Sequence, residues 1–303
     1  MRPSAVVRGS GLPAHEGRVL LAHVLGTSPS ALPLVESVSD ADAARLAVLA
    51  ERRRAGEPLQ HLTGVAFFRT VRLRVGPGVF IPRPETELMV EWALRALRAA
   101  HFGVNSGFTG RLGCGKPLLP GGDADGPPVV VELCAGSGAI SKALAAEFPG
   151  PSYHAVELSA DAWPYLVSNL AGTGVRLVHG DMADALPELN GRVDLVIANP
   201  PYVPESARAG LPPDVLRDPE GALFAGPEGL DALRVVVATA GRLLKPGGWV
   251  VTEHDDTQGE SVPALFAAHG GFTCVADHPD LAGRARFAVA RRASARRAGR
   301  IGP

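Results

Sequence analysis

Val129-Val130-Val131-Glu132-Leu133-Cys134-Ala135-Gly136-Ser137-Gly138-Ala139 decides how the chain is read: a β-branched run closes on a two-glycine turn and opens a helical pattern over Ala139 to Phe148. A continuously apolar strand suits burial on both faces, which is the habit of parallel sheets. The same alternation recurs downstream in Tyr153 to Leu158, Asp161 to Leu170, Val175 to Val178 and Val193 to Ala198. Repeated βαβ units imply parallel strands joined by right-handed crossovers. A further helix is expected from Gly229 to Leu244, ending at Lys245-Pro246-Gly247-Gly248, with Trp249 to Glu253 as the next strand. Phe272 to Ala276 and Arg286 to Ala290 are separated only by a loop, so they are expected to pair antiparallel at the sheet edge. The expected fold class is α/β, a doubly wound Rossmann-type sheet preceded by a small N-terminal helical domain.

Upstream, Val19 to Leu25 and Ala44 to Arg54 carry helical apolar spacing within residues 15 to 57, and Gly56 and Pro58 stop it. Leu62 to Phe68 and Val71 to Val75 are expected as short strands about Arg69-Thr70, closed by Gly76-Pro77-Gly78. In Phe80-Ile81-Pro82-Arg83-Pro84-Glu85-Thr86-Glu87, Pro84 suits a first helical position and the glutamates suit a helix dipole, leading into Leu88 to Leu97. Gly103 to Pro128 is rich in Gly and Pro without periodicity and is expected to be a flexible insertion. Arg291 to Pro303 is a basic, solvated end. The expected divisions are 1–78 for the helical and hairpin unit, 79–102 for a connecting arm and helix, 103–128 for the insertion, 129–291 for the α/β domain and 292–303 for the tail.

At 303 residues and 46% hydrophobic content the chain can build a substantial core. A formal net charge of −1 supplies no general field for nucleic acid or anionic membrane, so direct nucleic-acid binding is not expected. No apolar run approaches bilayer length and no secretory leader is evident. Cys114, Cys134 and Cys274 lack metal or disulfide spacing, so free thiols, no metal and a cytoplasmic location are expected.

The glycine turn departs from a dinucleotide fingerprint: the third glycine would fall at Ser141, and Glu132 sits where a pyrophosphate would lie. A carboxylate there favours a cationic ligand, and S-adenosylmethionine carries a sulfonium and an ammonium. Glu157, about 20 residues beyond the turn and at the next strand end, can accept from both ribose hydroxyls. After the third strand, Asp181 can meet the adenine amine and Met182 its ring. With Gly136 and Gly138, these residues occupy successive carboxyl strand ends, where open α/β sheets bind ligands.

Asn199-Pro200-Pro201-Tyr202 ends the fourth strand on that same rim. Two prolines stiffen the backbone. Taken alone, the four residues fit a Pro-rich turn equally well. As a site, the Asn199 side-chain oxygen and the Pro200 carbonyl could each accept one N–H of a planar –NH2 group while Tyr202 packs on its face. Holding both N–H bonds aims the nitrogen lone pair at a methyl carbon and stabilises developing positive charge. Glu253-His254-Asp255-Asp256 ends the next strand, and a satisfied loop cluster is the expected reading there.

With these residues in view, the sequence resembles the HemK-type peptide chain release factor N5-glutamine methyltransferases. The resemblance rests on Gly56-Glu57-Pro58-Leu59-Gln60-His61-Leu62-Thr63-Gly64, the Phe80 to Glu87 arm, the glycine turn, Asn199-Pro200-Pro201-Tyr202 and Leu281-Ala282-Gly283-Arg284, and spans about Gly17 to Arg291. It implies an S-adenosylmethionine-dependent methyltransferase domain acting on the glutamine of a release-factor Gly-Gly-Gln motif, with residues 1–78 recognising the substrate. By the same resemblance Glu132, Gly136, Gly138, Glu157, Asp181, Met182 and Asn199 would line the donor site. Asn199, Pro200, Pro201 and Tyr202 would hold the glutamine, with Asn199, Pro200 and Tyr202 at the chemistry and Phe80 and Arg83 as further substrate contacts. The first helix of the family is expected to be short or absent here, and Met182 stands where an aromatic is often found. Two alternatives stay open: an exocyclic-amine methyltransferase acting on a nucleic-acid base, and a non-catalytic S-adenosylmethionine-binding protein.

Overall fold

A computed structural model describes residues 1–102, 126–212 and 214–294. The chain begins with α1 (Pro3–Gly9), α2 (Ala14–Val24), α3 (Asp40–Arg54) and α4 (Leu59–Thr63). The first is present but only seven residues long, with proline in its opening turn. In α3, Ser39 caps the start by accepting the Asp42 N–H at 3.1 Å, Asp40 and Asp42 lie in the first turn, and Arg52, Arg53 and Arg54 lie in the last. That charge order complements the helix dipole. Val6, Leu20, Leu21, Leu46 and Leu62 form the core of this unit, and Arg53 clamps α3 to α2 through Glu16 at 2.7 Å.

Gly64, in the left-handed conformation at φ 71°, ends α4 and turns the chain into β1 (Val65–Phe68). The strand therefore starts three residues later than the sequence pattern suggested, because Leu62 and Thr63 complete the helix. β1 pairs antiparallel with β2 (Val71–Arg74), Phe68 opposite Val71. After the extended arm comes α5 (Thr86–Phe102), whose first helical residue is Thr86 rather than Pro84.

The remaining elements are β3 (Val129–Leu133), α6 (Ala139–Glu147), β4 (Ser152–Glu157), α7 (Trp163–Leu170), β5 (Arg176–His179), β6 (Val193–Ala198), α8 (Glu220–Leu223), α9 (Asp231–Leu243), β7 (Leu244–Glu253), α10 (Ser261–His269), β8 (Phe272–Pro279) and β9 (Ala285–Arg292). Seven strands form one sheet in the order β5-β4-β3-β6-β7-β9-β8. The first five run parallel, while β9 enters antiparallel beside β7 and β8 takes the edge. The chain winds outward from β3 to β5 and then returns to β6 on the other side of β3, which creates the topological switch point at which α/β sheets open a crevice. Register aligns Leu133 with Ala198, so Cys134 and Asn199 leave the sheet side by side.

Alternation along each strand splits the core into two layers. Val130, Leu195, Ile197 and Trp249 meet α5, α6 and the hairpin residues Phe68 and Leu73 on one face. Val131, Leu133, Val196 and Val250 meet Leu233, Val236 and Val237 of α9 and Phe266 of α10 on the other. Two boundaries differ from expectation: β7 already begins at Leu244, so Lys245 to Gly248 lie within it behind a register irregularity, and Asp161 and Ala162 precede α7. The expectation of free thiols holds at Cys134 and fails at Cys274, which is disulfide-bonded. The insertion's residues 103–125, including Cys114, and tail residues 295–303 lie outside the described residues. No described helix is long and apolar enough to cross a membrane.

Candidate active site

A cavity of 940 Å³ opens at the carboxyl ends of β3, β4, β5 and β6. Glu132, Gly136, Glu157, Asp181, Met182, Asn199, Pro201, Tyr202, Phe80 and Arg83 all line it. Pro200 and Gly138 do not. Gly138 instead acts sterically: it starts α6 at φ 78°, and a Cβ there would approach Leu166 Cδ1 to 2.8 Å. A side chain there would be strained at this φ and would crowd the Leu166 and Leu170 side chains of α7.

Inside the turn, Cys134 takes a left-handed φ of 55° without being glycine, and its Sγ lies 3.5 Å from Met182 Sδ across the cavity wall. Glu157 is buried and held on both oxygens, by the Gly136 N–H at 2.7 Å and the Ser159 N–H at 2.6 Å. Each oxygen keeps a further lone pair. Glu132 accepts the Ser141 N–H at 2.9 Å in the first turn of α6. Full burial, reinforced by the nearby Glu157 charge, overcomes the Ser141 hydrogen bonds and pushes the Glu132 carboxyl up to about 8. Asp181 Oδ1 accepts the Ala183 N–H at 2.8 Å, closing the turn after β5. A residue not singled out from sequence fixes the turn from behind: buried Asn169 donates to the Ser137 and Arg74 carbonyls, both at 2.9 Å, and accepts the Arg74 N–H at 2.7 Å.

Asn199 donates its Nδ2 to the hydroxyl of Thr86 at 3.2 Å. That bond commits the amide's donor side to the protein and leaves its carbonyl oxygen as the free end. Tyr202 donates to Glu253 at 3.0 Å, and its backbone carbonyl accepts from Gln258 at 3.0 Å. Burial raises the Tyr202 phenol well above its ordinary value, with the Glu253 charge adding to the effect. Glu253 opens the titratable cluster Glu253-His254-Asp255-Asp256, and no sequence pattern distinguishes it from its neighbours. In that cluster His254 is indeed satisfied, bonded to the Asp255 carbonyl at 2.8 Å and to Asp277 at 2.7 Å.

Arg83 pairs with buried Asp218 and stacks over Phe80 at 5.2 Å. Asp218 also accepts the Ile81 N–H at 3.3 Å, so the arm is tied to the loop that follows Tyr202. Burial raises the Asp218 carboxyl despite this pairing. The arginine's charge is thus already neutralised, and with Phe80 it presents a wall rather than a bare cation.

A mostly parallel sheet with a carboxylate-lined cavity at its switch point, in a chain whose residues 130–211 match the methyltransferase domain, defines an S-adenosylmethionine-dependent methyltransferase. Residues 7–64 match the PrmC N-terminal domain. The chain is 46% identical over 283 residues to a release factor glutamine methyltransferase of Streptomyces coelicolor, covering 93% of this chain and 92% of that protein. It is also 41% identical over 228 residues to a 4-amino-L-phenylalanine/4-methylamino-L-phenylalanine methyltransferase of Streptomyces pristinaespiralis, covering 75% and 71%. The catalytic domain of hMettl16, solved with the MAT2A 3′UTR hairpin 6, shares the fold at 14% identity and a TM-score of 0.52, over 84% of this chain and 82% of that one. The chain belongs to the release factor glutamine methyltransferase family.

Proposed function

We propose that the protein transfers the methyl group of S-adenosylmethionine to the side-chain amide nitrogen of the glutamine in the Gly-Gly-Gln motif of a peptide chain release factor, in the cytoplasm. The observation that carries this reading is the Asn199 amide: its donor end is occupied by Thr86, so its oxygen is the end offered to a substrate N–H. An acceptor at that place suits an –NH2 substrate.

The donor site fits its ligand by chemistry. Glu132 opposes the ligand's positive charge, and Glu157, aligned by two backbone N–H groups, offers its remaining lone pairs to ribose hydroxyls. Gly136 leaves the wall bare, since a Cβ there would meet nothing within 4 Å. Asp181 takes the adenine amine and Met182 the ring. When bound, the donor supplies an electrophilic methyl carbon on a sulfonium leaving group.

An amide nitrogen is a poor nucleophile because its lone pair is delocalised. Asn199 Oδ1 and the backbone carbonyl of Pro200, which stands in the chain between the cavity-lining Asn199 and Pro201, accept its two N–H bonds, and Pro201 and the Tyr202 ring confine its plane. Phe80 and Arg83 wall the approach of the substrate chain. Orientation of this kind supplies roughly 7–11 kcal/mol of a barrier, and fixed acceptors stabilise the positive charge that develops on nitrogen. The released proton passes to solvent. Incubation with labelled donor and either purified release factor or total RNA and DNA tests the reading. Label in the protein without any nucleic-acid requirement supports it, and label confined to nucleic acid contradicts it.

A further inference from the structure

Glu253 ends β7, the strand beside the one that delivers Asn199, and only 1% of it is exposed. Its Oε1 accepts from Tyr202, while Oε2 is buried without a hydrogen-bond partner. A bare buried carboxylate oxygen is costly and calls for a donor. Burial, with the Glu85 charge adding to it, raises the Glu253 carboxyl above its ordinary value, and the buried Thr86 hydroxyl, Tyr202 and the positive charge of Arg286 only partly oppose this. Thr86 has one proton and also stands against Asn199. If that proton goes to Glu253, the threonine oxygen can only accept, and residue 199 must turn its NH2 toward it.

We propose that Glu253 is a positioning residue that sets the polarity of the Asn199 amide through Thr86, so that Asn199 Oδ1 faces the substrate N–H, while the same carboxylate anchors the Tyr202 ring. Glu253 touches neither substrate nor donor. Without that acceptor oxygen the Thr86 proton can turn to Asn199 Oδ1, the amide reverses, and an NH2 group meets the substrate's own NH2. The proposal rests on Asn199 being the amide acceptor.

Steady-state methylation of the intact protein substrate, with donor affinity measured separately, tests the relay. Glu253→Gln offers Thr86 a donor where it now finds an acceptor, and Thr86→Val removes the link. Each is expected to lower kcat by at least about 30-fold while donor Kd stays within about twofold. Thr86→Ser keeps the hydroxyl and should restore turnover to within about fivefold of native. The Thr86→Val/Glu253→Gln double variant should be no slower than the Thr86→Val single variant, because both cut one chain of contacts. Asn199→Asp should raise kcat in the Glu253→Gln background, since a carboxylate can accept from Thr86 and still present an oxygen. Native-like kcat in Glu253→Gln, additive losses in the double variant, or equal damage from Thr86→Ser and Thr86→Val would overturn the relay alone. Should Glu253→Gln fail to fold, the Thr86 pair decides the matter. Failure of the native protein to methylate the factor would remove the acceptor reading itself, and the relay with it.

Discussion

Asn199 has its donor end engaged by the protein and its acceptor end free, which separates binding of the methyl donor from activation of the substrate amide. Asn199→Ala should therefore leave donor Kd within about threefold while lowering kcat at least about 100-fold, as titration and single-turnover kinetics would register. Parallel loss of both would contradict the division. Glu132 makes a second prediction. Its carboxyl, raised to about 8 by burial, is mostly protonated at pH 7, and a cationic ligand favours the ionised form. Donor binding at pH 7 should release close to one proton, and the release should vanish as pH rises above 8. Calorimetry in buffers of different ionisation enthalpy measures this, and Glu132→Gln should abolish it. Asn199, Glu132 and Glu157 were legible in the sequence because each ends a recognisable strand, so one-dimensional order carried their meeting point. Thr86 was not, since its partner lies 113 residues away and it reads simply as part of a helix start. Glu253 was obscured by three polar neighbours, of which His254 is the satisfied one. Asn169, within a helix, gave no signal that its amide would hold the glycine turn.

Elements are joined to the sheet by a few polar staples whose partners are distant in sequence. Arg69, in the β1–β2 turn at φ 49°, bonds Glu147 of α6 at 2.7 Å and Glu91 of α5 at 3.0 Å, and its Nη1 donates to the Glu87 carbonyl. These contacts are partly buried, so Arg69→Ala should cost about 2–3 kcal/mol and be seen as a lower urea midpoint. The Arg69 guanidinium holds the Glu147 carboxyl below its ordinary value, and with Arg95 it offsets burial to hold Glu91 down as well. Depressed carboxylates stabilise the fold above their unfolded values, near 4.5, and that contribution is lost as pH falls through the folded ones. The gap between native and variant should accordingly narrow below about pH 4. Asp218 makes a matching tie between the arm and the loop after Tyr202. Asp218→Asn should raise KM for the protein substrate several-fold, on the order of 1 kcal/mol, without altering donor affinity. Periodicity located most elements, yet it carried the first hairpin strand into α4 and stopped β7 short, because Leu62 fits either pattern and Pro246-Gly247-Gly248 resembles a loop.

At the scale of the whole molecule, reversal of winding between β3 and β6 brings the donor-side glycine turn and the Asn199 strand end together, with Leu133 and Ala198 in register. The hairpin and arm close over the same crevice, since Phe68, Phe80 and Arg83 line the cavity along with Glu132 and Asn199. Fold class could be read from the βαβ alternation, and S-adenosylmethionine from carboxylates placed where phosphate would be repelled. Glutamine as the acceptor could not be read from strand ends, because any planar –NH2 satisfies two acceptors and a flat wall; it came from the arm's resemblance and agrees with the relatives' names. The decisive measurement is peptide mass mapping of a release factor after incubation with the enzyme and S-adenosylmethionine. A single methyl group on the Gly-Gly-Gln glutamine, absent when that glutamine is replaced by alanine and absent with Asn199→Ala enzyme, is the expected result. Methylation elsewhere on the factor, or undiminished methylation after the glutamine is removed, would contradict it.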